Sequence, residues 1–182
     1  MAYSFDGEFT VATSRDDVFA LLSQTQKFAP LLPSYTSHAL NEDGSTDVEV
    51  KVGVGKIRGT GKVNLILDEC QQPVRAQYQG KGKVMGGAFN ITAAFELEDL
   101  GQGRTRVKWH GELSMFGKLV SLAGGLVKPV AERDINQMIA ALQAELGGAE
   151  EVAVAKPPAP PRRGIFTRFL SWLKRLFGGA AK

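Results

Sequence analysis

The sequence predicts an α+β protein in which a curved antiparallel sheet with one apolar face is covered by a long C-terminal helix. Six segments between residues 35 and 115 alternate apolar with polar residues and are separated by turns, which is typical of an antiparallel meander. From Lys118 to Leu146 the apolar residues recur instead at helical spacing. Because a sheet with a single apolar face needs a second layer, we expect this helix to lie across the sheet.

The N-terminal part of the chain predicts one strand followed by two short helices. Residues 3–11 alternate in the strand pattern. Thr13 or Ser14 can cap a helix whose first turn carries two aspartates. A second helical piece begins at Thr25 and is ended by Pro33.

The meander strands are expected at about residues 35–40, 48–54, 59–68, 73–79, 89–97 and 105–115. Glycines recur on these strands, which permits curvature and removes side chains, so we expect space inside the sheet. A phosphate-binding loop is excluded, because Lys81-Gly82-Lys83 is not followed by Ser, Thr or a helix. In the long helix, Gly124-Gly125 and Pro129 predict a break, and Gly147-Gly148 predicts the end.

Charge is distributed unevenly along the 182 residues. The chain has 22 basic and 19 acidic residues, but from Lys156 onward it has seven basic and no acidic ones, so the first 155 residues carry a net charge of −4. An acidic body argues against nucleic-acid binding. Cys70 is the only cysteine, which excludes a disulfide within the chain and favours a cytoplasmic setting. The sequence predicts no signal peptide and no spanning segment, so any membrane contact is expected to be peripheral, at the cytoplasmic face.

Beyond the predicted domain of residues 1–146, the sequence changes character. Residues 147–164 form a Gly-, Ala- and Pro-rich linker, residues 165–177 fit a basic amphipathic helix, and residues 178–182 are expected to be disordered. A bulky apolar face opposite a purely basic face is typical of a helix that lies in a membrane interface with anionic lipids. The alternatives are a groove on a partner protein and the chain's own domain. The residues expected to bind the membrane are Arg162, Arg163, Ile165, Phe166, Arg168, Phe169, Leu170, Trp172, Leu173, Lys174, Arg175, Leu176 and Phe177.

The space between sheet and helix is predicted to hold a hydrophobic small molecule. The Tyr78 hydroxyl and the Trp109 indole N–H are polar groups that would orient it. The alternative is that the same side chains pack as a filled core. The candidate ligand-binding residues are Phe28, Leu32, Val52, Val54, Tyr78, Phe89, Ile91, Phe95, Trp109, Leu113, Met115, Leu119, Leu122, Leu126, Val130 and Met138.

No catalytic residue and no resident cofactor is predicted. His38 and His110 are the only histidines, and neither has a nucleophile or an acid at a spacing that suggests a catalytic set. Two histidines and one cysteine without clustering disfavour a metal site. We therefore expect a protein that is not an enzyme.

Six short motifs carry a family resemblance. They are Phe5-Asp6-Gly7-Glu8-Phe9, residues 18–22, residues 53–61, Gly80-Lys81-Gly82, residues 104–109 and residues 116–119. Over residues 3–146 the chain resembles the CoxG family, named for the G subunit of carbon monoxide dehydrogenase, within the helix-grip, or START-like (SRPBCC), superfamily. The resemblance implies a helix-grip fold with an apolar cavity. One departure is that Pro33 is followed by Ser34 where the family usually has glycine, so the entrance loop is expected to differ.

The resemblance implies a non-catalytic accessory protein that accompanies a molybdenum-containing carbon monoxide dehydrogenase and helps it to work at the cytoplasmic membrane. Because the chain combines a predicted cavity, a linker and a membrane anchor, the first hypothesis is a carrier that binds a respiratory quinone or a lipid. The second is a recruitment adaptor that links the dehydrogenase to the membrane without a ligand. The third is an enzyme, because some START-like proteins are cyclases or hydrolases. The lack of an acid–base pair in the predicted cavity argues against it.

Overall fold

The computed structural model describes residues 1–147, in which a seven-stranded sheet is combined with four helices. The predicted linker beyond Gly147, the amphipathic helix and the C-terminal end lie outside the described residues. The strands are β1 Ala2–Val11, β2 Tyr35–Leu40, β3 Thr46–Val54, β4 Ile57–Gln71, β5 Arg75–Val84, β6 Gly87–Gly101 and β7 Arg104–Phe116. The helices are α1 Arg15–Leu22, α2 Thr25–Phe28, α3 Lys118–Ala123 and α4 Val127–Glu145, with 3-10 turns at Ala29–Leu31 and Gly124–Leu126.

The sheet is antiparallel throughout, in the order β1-β7-β6-β5-β4-β3-β2. The predicted six-strand meander is confirmed, and β1 joins it by pairing with the last strand. The strand residues that were predicted to face inward do share one face. Phe95 lies opposite Trp109, for example, and Phe89 lies opposite Met115.

The first helix is capped by Ser14, whose hydroxyl accepts a hydrogen bond from the backbone N–H of Asp17. Thr13, the other predicted cap, has a different role. Its hydroxyl donates to the carbonyl oxygen of Leu146. The end of α4 is thereby fastened to the start of α1.

The predicted break in the long helix is confirmed by the 3-10 turn at Gly124–Leu126, which separates α3 from α4. Pro129 lies in the first turn of α4, where its missing N–H costs no helical hydrogen bond. The predicted inward position of Leu126 is wrong, since its side chain is 52% exposed. The 3-10 turn changes the helical phase, so a periodicity carried across the break assigns Leu126 to the wrong side.

The apolar interior is divided into three clusters. One lies around α1 and includes Val18, Phe19 and Leu142. A second surrounds α3 and includes Leu119 and Val127. The third includes Ala29, Val48 of β3 and Val63 of β4. The two buried residues of α4, Val127 and Leu142, lie near its opposite ends and belong to different clusters.

Candidate functional site

The middle of α4 is only partly packed against the sheet. Val127 and Leu142 are buried, whereas Val130, Asp134 and Met138 between them are half-buried. The helix is therefore fixed at its two ends and spans the inner face of the sheet between them.

The sheet also has unfilled space on this face. Ala93 of β6 pairs with Gly111 of β7, and Ala93 is exposed although β5 and β7 flank its strand. A Cβ added at Gly111 would meet only the carbonyl oxygen of Thr92, at 3.9 Å. The neighbours Ile91 and Leu113, which also pair with each other, are half-buried. This part of the inner face is apolar and is not covered by side chains.

Most strand glycines do not contribute to that space. The prediction that the strand glycines leave space inside the sheet is therefore wrong at several positions. A Cβ at Gly82 would overlap the ring of Phe89, and one at Gly80 would approach Leu65 Cδ2 to 2.8 Å. A Cβ at Gly61 would come equally close to Val52 Cγ2. Neighbouring side chains fill the volumes that these glycines leave, and the glycines are required for packing.

A cleft of about 340 Å³ lies at the rim between β3 and α4. Its lining is part apolar and part charged. The residues that line it are Pro33, Ser34, residues 50–54, Val130, Arg133 and Asp134. The guanidinium of Arg133 donates to Asp134 Oδ1 at 2.7 and 2.9 Å, so the charged part of the lining carries an internal ion pair.

Ser34 gives the cleft an unusual backbone. Its φ is 59°, in the left-handed region that glycine favours. Its carbonyl oxygen accepts the N–H of Lys51 at 2.9 Å. The loop thus has a conformation suited to glycine although the sequence provides serine.

The two polar groups that were predicted to orient a ligand differ in availability. The Tyr78 hydroxyl donates to the carbonyl oxygen of Leu22 at 2.9 Å, and burial raises the pKa of Tyr78 to about 12. Tyr78 therefore fastens α1 to the sheet. The indole nitrogen of Trp109 is buried and has no hydrogen-bond partner among the described residues. The ring lies over Gly7, where a Cβ would come within 2.9 Å of Cζ2.

Comparison with known proteins identifies the family. The family model that matches is the one described as the G subunit of carbon monoxide dehydrogenase (CoxG), and the match covers residues 7–147, well over half of the chain. The chain belongs to the CoxG family. No curated protein matches the sequence.

Solved structures show which fold this CoxG-family chain has. A conserved protein from Geobacillus kaustophilus matches with a TM-score of 0.70 at 14% identity, covering 79% of this chain and 95% of that one. A START superfamily protein from Mycobacterium smegmatis matches at 0.58 and 15%, covering 79% and 96%. The Zhui aromatase/cyclase from Streptomyces sp. R1128 matches at 0.59 and 17%, covering 80% and 94%. The chain therefore has a START-like fold, as the resemblance implied.

The candidate ligand-binding residues of this CoxG-family chain fall into three groups. Phe28, Tyr78, Phe95, Met115 and Leu119 are buried in the packed clusters. Those that are half-buried are Leu32, Val52, Val54, Phe89, Ile91, Trp109, Leu113, Leu122, Val130 and Met138. Leu126 is exposed. The half-buried group is the one with surface left for a ligand.

The residues of the site that were not among the sequence-based ligand-binding candidates include Ser34, Ala93, Gly111, Arg133 and Asp134. Gly111 was recognisable as inward-facing from the alternation of β7, but its pairing with Ala93 depends on strand register, which alternation does not fix. The inward turn of α4 that carries Asp134 depends on the helical phase after the break. Ser34 stands where the resemblance implied a glycine, and this departure was the available signal.

The histidines lie away from the gap beneath α4. His38 Nδ1 is 2.7 Å from the Tyr35 hydroxyl, and His110 is exposed, with Nε2 3.3 Å from Glu112 Oε1. Within residues 1–147, no three or more His, Cys, Asp or Glu side chains group as a metal site would require. None of the helices in the described part of the chain has the length and apolarity to cross a bilayer.

Proposed function

We propose that this chain is a non-catalytic accessory protein of a molybdenum-containing carbon monoxide dehydrogenase, which binds a hydrophobic ligand beneath α4 and links the enzyme to the cytoplasmic membrane. The observation that carries the ligand role is the uncovered apolar surface around Ala93 and Gly111, under a helix that is buried only at its ends. Exposed apolar surface inside a fold is costly unless something covers it.

The ligand class is a respiratory quinone or a lipid. Ile91, Leu113 and Met138 offer apolar surface at the gap, which suits an isoprenoid or acyl chain. Both ligands also carry carbonyl oxygens, and the unpaired indole N–H of Trp109 is the donor that we expect to bind one. A dehydrogenase that feeds a respiratory chain must deliver electrons to a quinone in the bilayer, so a carrier of this kind would connect the two.

The membrane link is assigned to the C-terminal part of the sequence. Residues 165–177 combine bulky apolar side chains with a basic face. The Pro-rich stretch before them, residues 147–164, can span about 50 Å when extended. The ligand-binding domain could then stay close to the bilayer, at its cytoplasmic face, without being embedded in it.

The ligand role is tested by mass spectrometry of apolar molecules extracted from the purified full-length chain. We expect a quinone or lipid at close to one molecule per protein, together with uptake of the same molecule from liposomes. An empty protein that takes up neither class would overturn the carrier role. Binding of purified carbon monoxide dehydrogenase to the same chain tests the partner.

A membrane-recruitment adaptor without a ligand is the second candidate. It is favoured by the way in which Phe89 and Leu65 fill the volumes beside Gly82 and Gly80, which reduces the space inside the sheet. An adaptor would still recruit the dehydrogenase to liposomes when the gap is blocked by Ala93→Trp, and electron transfer to quinone would be unchanged. A carrier with the same substitution would recruit the enzyme but lose the electron transfer.

A further inference from the structure

One end of the sheet presents exposed apolar side chains. The β3–β4 turn, the β5–β6 turn and the junction of β7 with α3 lie together there, because the strands are antiparallel neighbours. We call residues 55–58, 83–87 and 116–120 the hairpin end. On it, Met85 is 51% exposed, Phe116 48% and Val120 36%.

The exposure of Met85 is not explained by the turn that carries it. Met85 and Gly86 form the two-residue connection between β5 and β6, and their φ values are 48° and 74°. Turns with two positive φ values favour Asn, Asp and Gly, so a methionine is unfavourable here both in its backbone conformation and in its exposure. Its sulfur accepts the backbone N–H of Arg58 at 3.1 Å, which joins two of the turns. Such a residue on the surface indicates a binding role.

The same end is basic. Its exposed cations are Lys56, Arg58, Lys83 and Lys118. Lys81, two residues before the second of these segments, adds a fifth exposed cation. None of the five forms an ion pair with another described residue. No acidic residue occurs in residues 50–67, 70–95 or 113–131.

The opposite end of the sheet is acidic. The turns there follow β2, β4 and β6. The five acidic residues that they carry or adjoin, Glu42, Asp43, Asp68, Glu69 and Asp99, outnumber the two cations that directly follow them, Arg75 and Arg104. The domain therefore has an electric dipole along its strands. An anionic surface would attract the hairpin end and repel the other.

We propose that the hairpin end is a second membrane-contact surface, specific for anionic lipids. Its apolar side chains would enter the headgroup region while the surrounding cations bind lipid phosphates. The absence of carboxylates from these stretches of sequence fits a lipid surface better than a protein, whose interfaces mix both signs of charge.

This surface and the C-terminal tail can contact the same membrane. Gly147 lies beside Ala12 and Thr13, at the acidic end, so the chain leaves the domain far from the hairpin end. Residues 148–164 are long enough to span about 50 Å. The inference rests on the proposed membrane location, not on the ligand or the dehydrogenase.

The test uses the full-length chain with Cys70→Ser and one new cysteine that carries an environment-sensitive fluorophore. Met85→Cys places the probe at the hairpin end, and Glu42→Cys is the matched control at the acidic end. With vesicles of equal parts phosphatidylglycerol and phosphatidylcholine, we expect a blue shift and quenching by acyl-chain-brominated lipid at position 85 only. If the chain sediments with the vesicles but the probe at position 85 shows neither the blue shift nor the quenching, the inference is overturned and the tail anchor stands.

Failure of the chain to sediment at all would overturn both membrane contacts. A response at position 85 without vesicles, rising with protein concentration, would assign the surface to a second copy and would also count against a lipid role.

A charge test adds a second readout. Lys56→Gln with Lys83→Gln should weaken vesicle binding by about 25-fold, since each of the two cations is worth about fivefold at an anionic surface. Arg75→Gln with Lys108→Gln, which changes the net charge equally but removes cations paired with Glu69 and Glu98, should have little effect; equal weakening by both pairs would contradict the proposal.

Discussion

Ala93 and Gly111 face each other across β6 and β7, and together they leave the inner face of the sheet uncovered beneath α4. The two smallest residue types thus meet at one point of the ladder. A large residue at either position would enter the gap instead of the packed clusters on both sides of it.

Ala93→Trp should therefore remove ligand binding without unfolding the domain. The indole would occupy the gap, so we expect co-purified apolar ligand to fall at least tenfold, while the thermal midpoint changes by only a few degrees. The matched control is Ala94→Trp, one residue along on the outer face. Mass spectrometry measures the co-purified ligand in both variants, and calorimetry measures their thermal midpoints. Undiminished ligand in Ala93→Trp would place the ligand elsewhere.

Gly82→Ala and Gly111→Ala should have opposite consequences although the substitution is the same. The Cβ at residue 82 overlaps Phe89, which must move, so we expect a loss of about 1–3 kcal/mol in the free energy of unfolding. The Cβ at residue 111 has no close neighbour, and alanine suits a strand better than glycine, so a gain of up to about 1 kcal/mol is expected. Urea denaturation measures both. Equal losses would mean that the space over Gly111 is filled.

The sequence predicted the order of the elements and the faces of the strands well, because a period of two is visible without knowledge of partners. It could not predict where space would remain. Gly82 and Gly111 look alike in the sequence, and only the positions of Phe89 and Ala93 separate a filled volume from an open one. The predicted inward position of Leu126 was wrong for a similar reason. The 3-10 turn before α4 shifts the helical phase by an amount that the spacing of apolar residues does not show.

Ser34→Gly should stabilise the domain. A serine at φ 59° is strained by about 1 kcal/mol or more, and glycine relieves that strain at a smaller cost in the unfolded chain. We expect a net gain of about 0.5–1 kcal/mol in urea denaturation. Ser37→Gly, on β2 where Ser37 pairs with Glu49, is the control and should lose a similar amount. A destabilised Ser34→Gly would show that the serine side chain matters more than its backbone.

Tyr78 should make the domain sensitive to alkaline pH. Its pKa is raised by burial to about 12, whereas an unfolded tyrosine titrates near 10. A raised pKa gives stability that is complete below pH 10 and is lost as the pH rises through 12, by about 3 kcal/mol at most. Tyr78→Phe leaves the Leu22 carbonyl without its donor, so it should cost about 1 kcal/mol at neutral pH. The variant should also show a shallower fall in stability between pH 10 and 12. Parallel pH profiles for the two proteins would refute the assignment.

Truncation after Lys156 should separate folding from membrane binding. It removes six basic residues and every apolar residue of the predicted amphipathic helix. Each cation contributes about 1 kcal/mol at an anionic surface, and the apolar face adds to this, so sedimentation with anionic liposomes at physiological salt should be lost. The thermal midpoint should not change, because residues 1–147 already contain the sheet, its clusters and the α1–α4 contact between Thr13 and Leu146.

Phe169→Ser with Trp172→Ser in the full-length chain keeps every charge and should lose most of the binding. Should the truncated chain sediment as well as the full-length one, the tail is not the anchor, and the hairpin end around Met85 would be left as the principal contact.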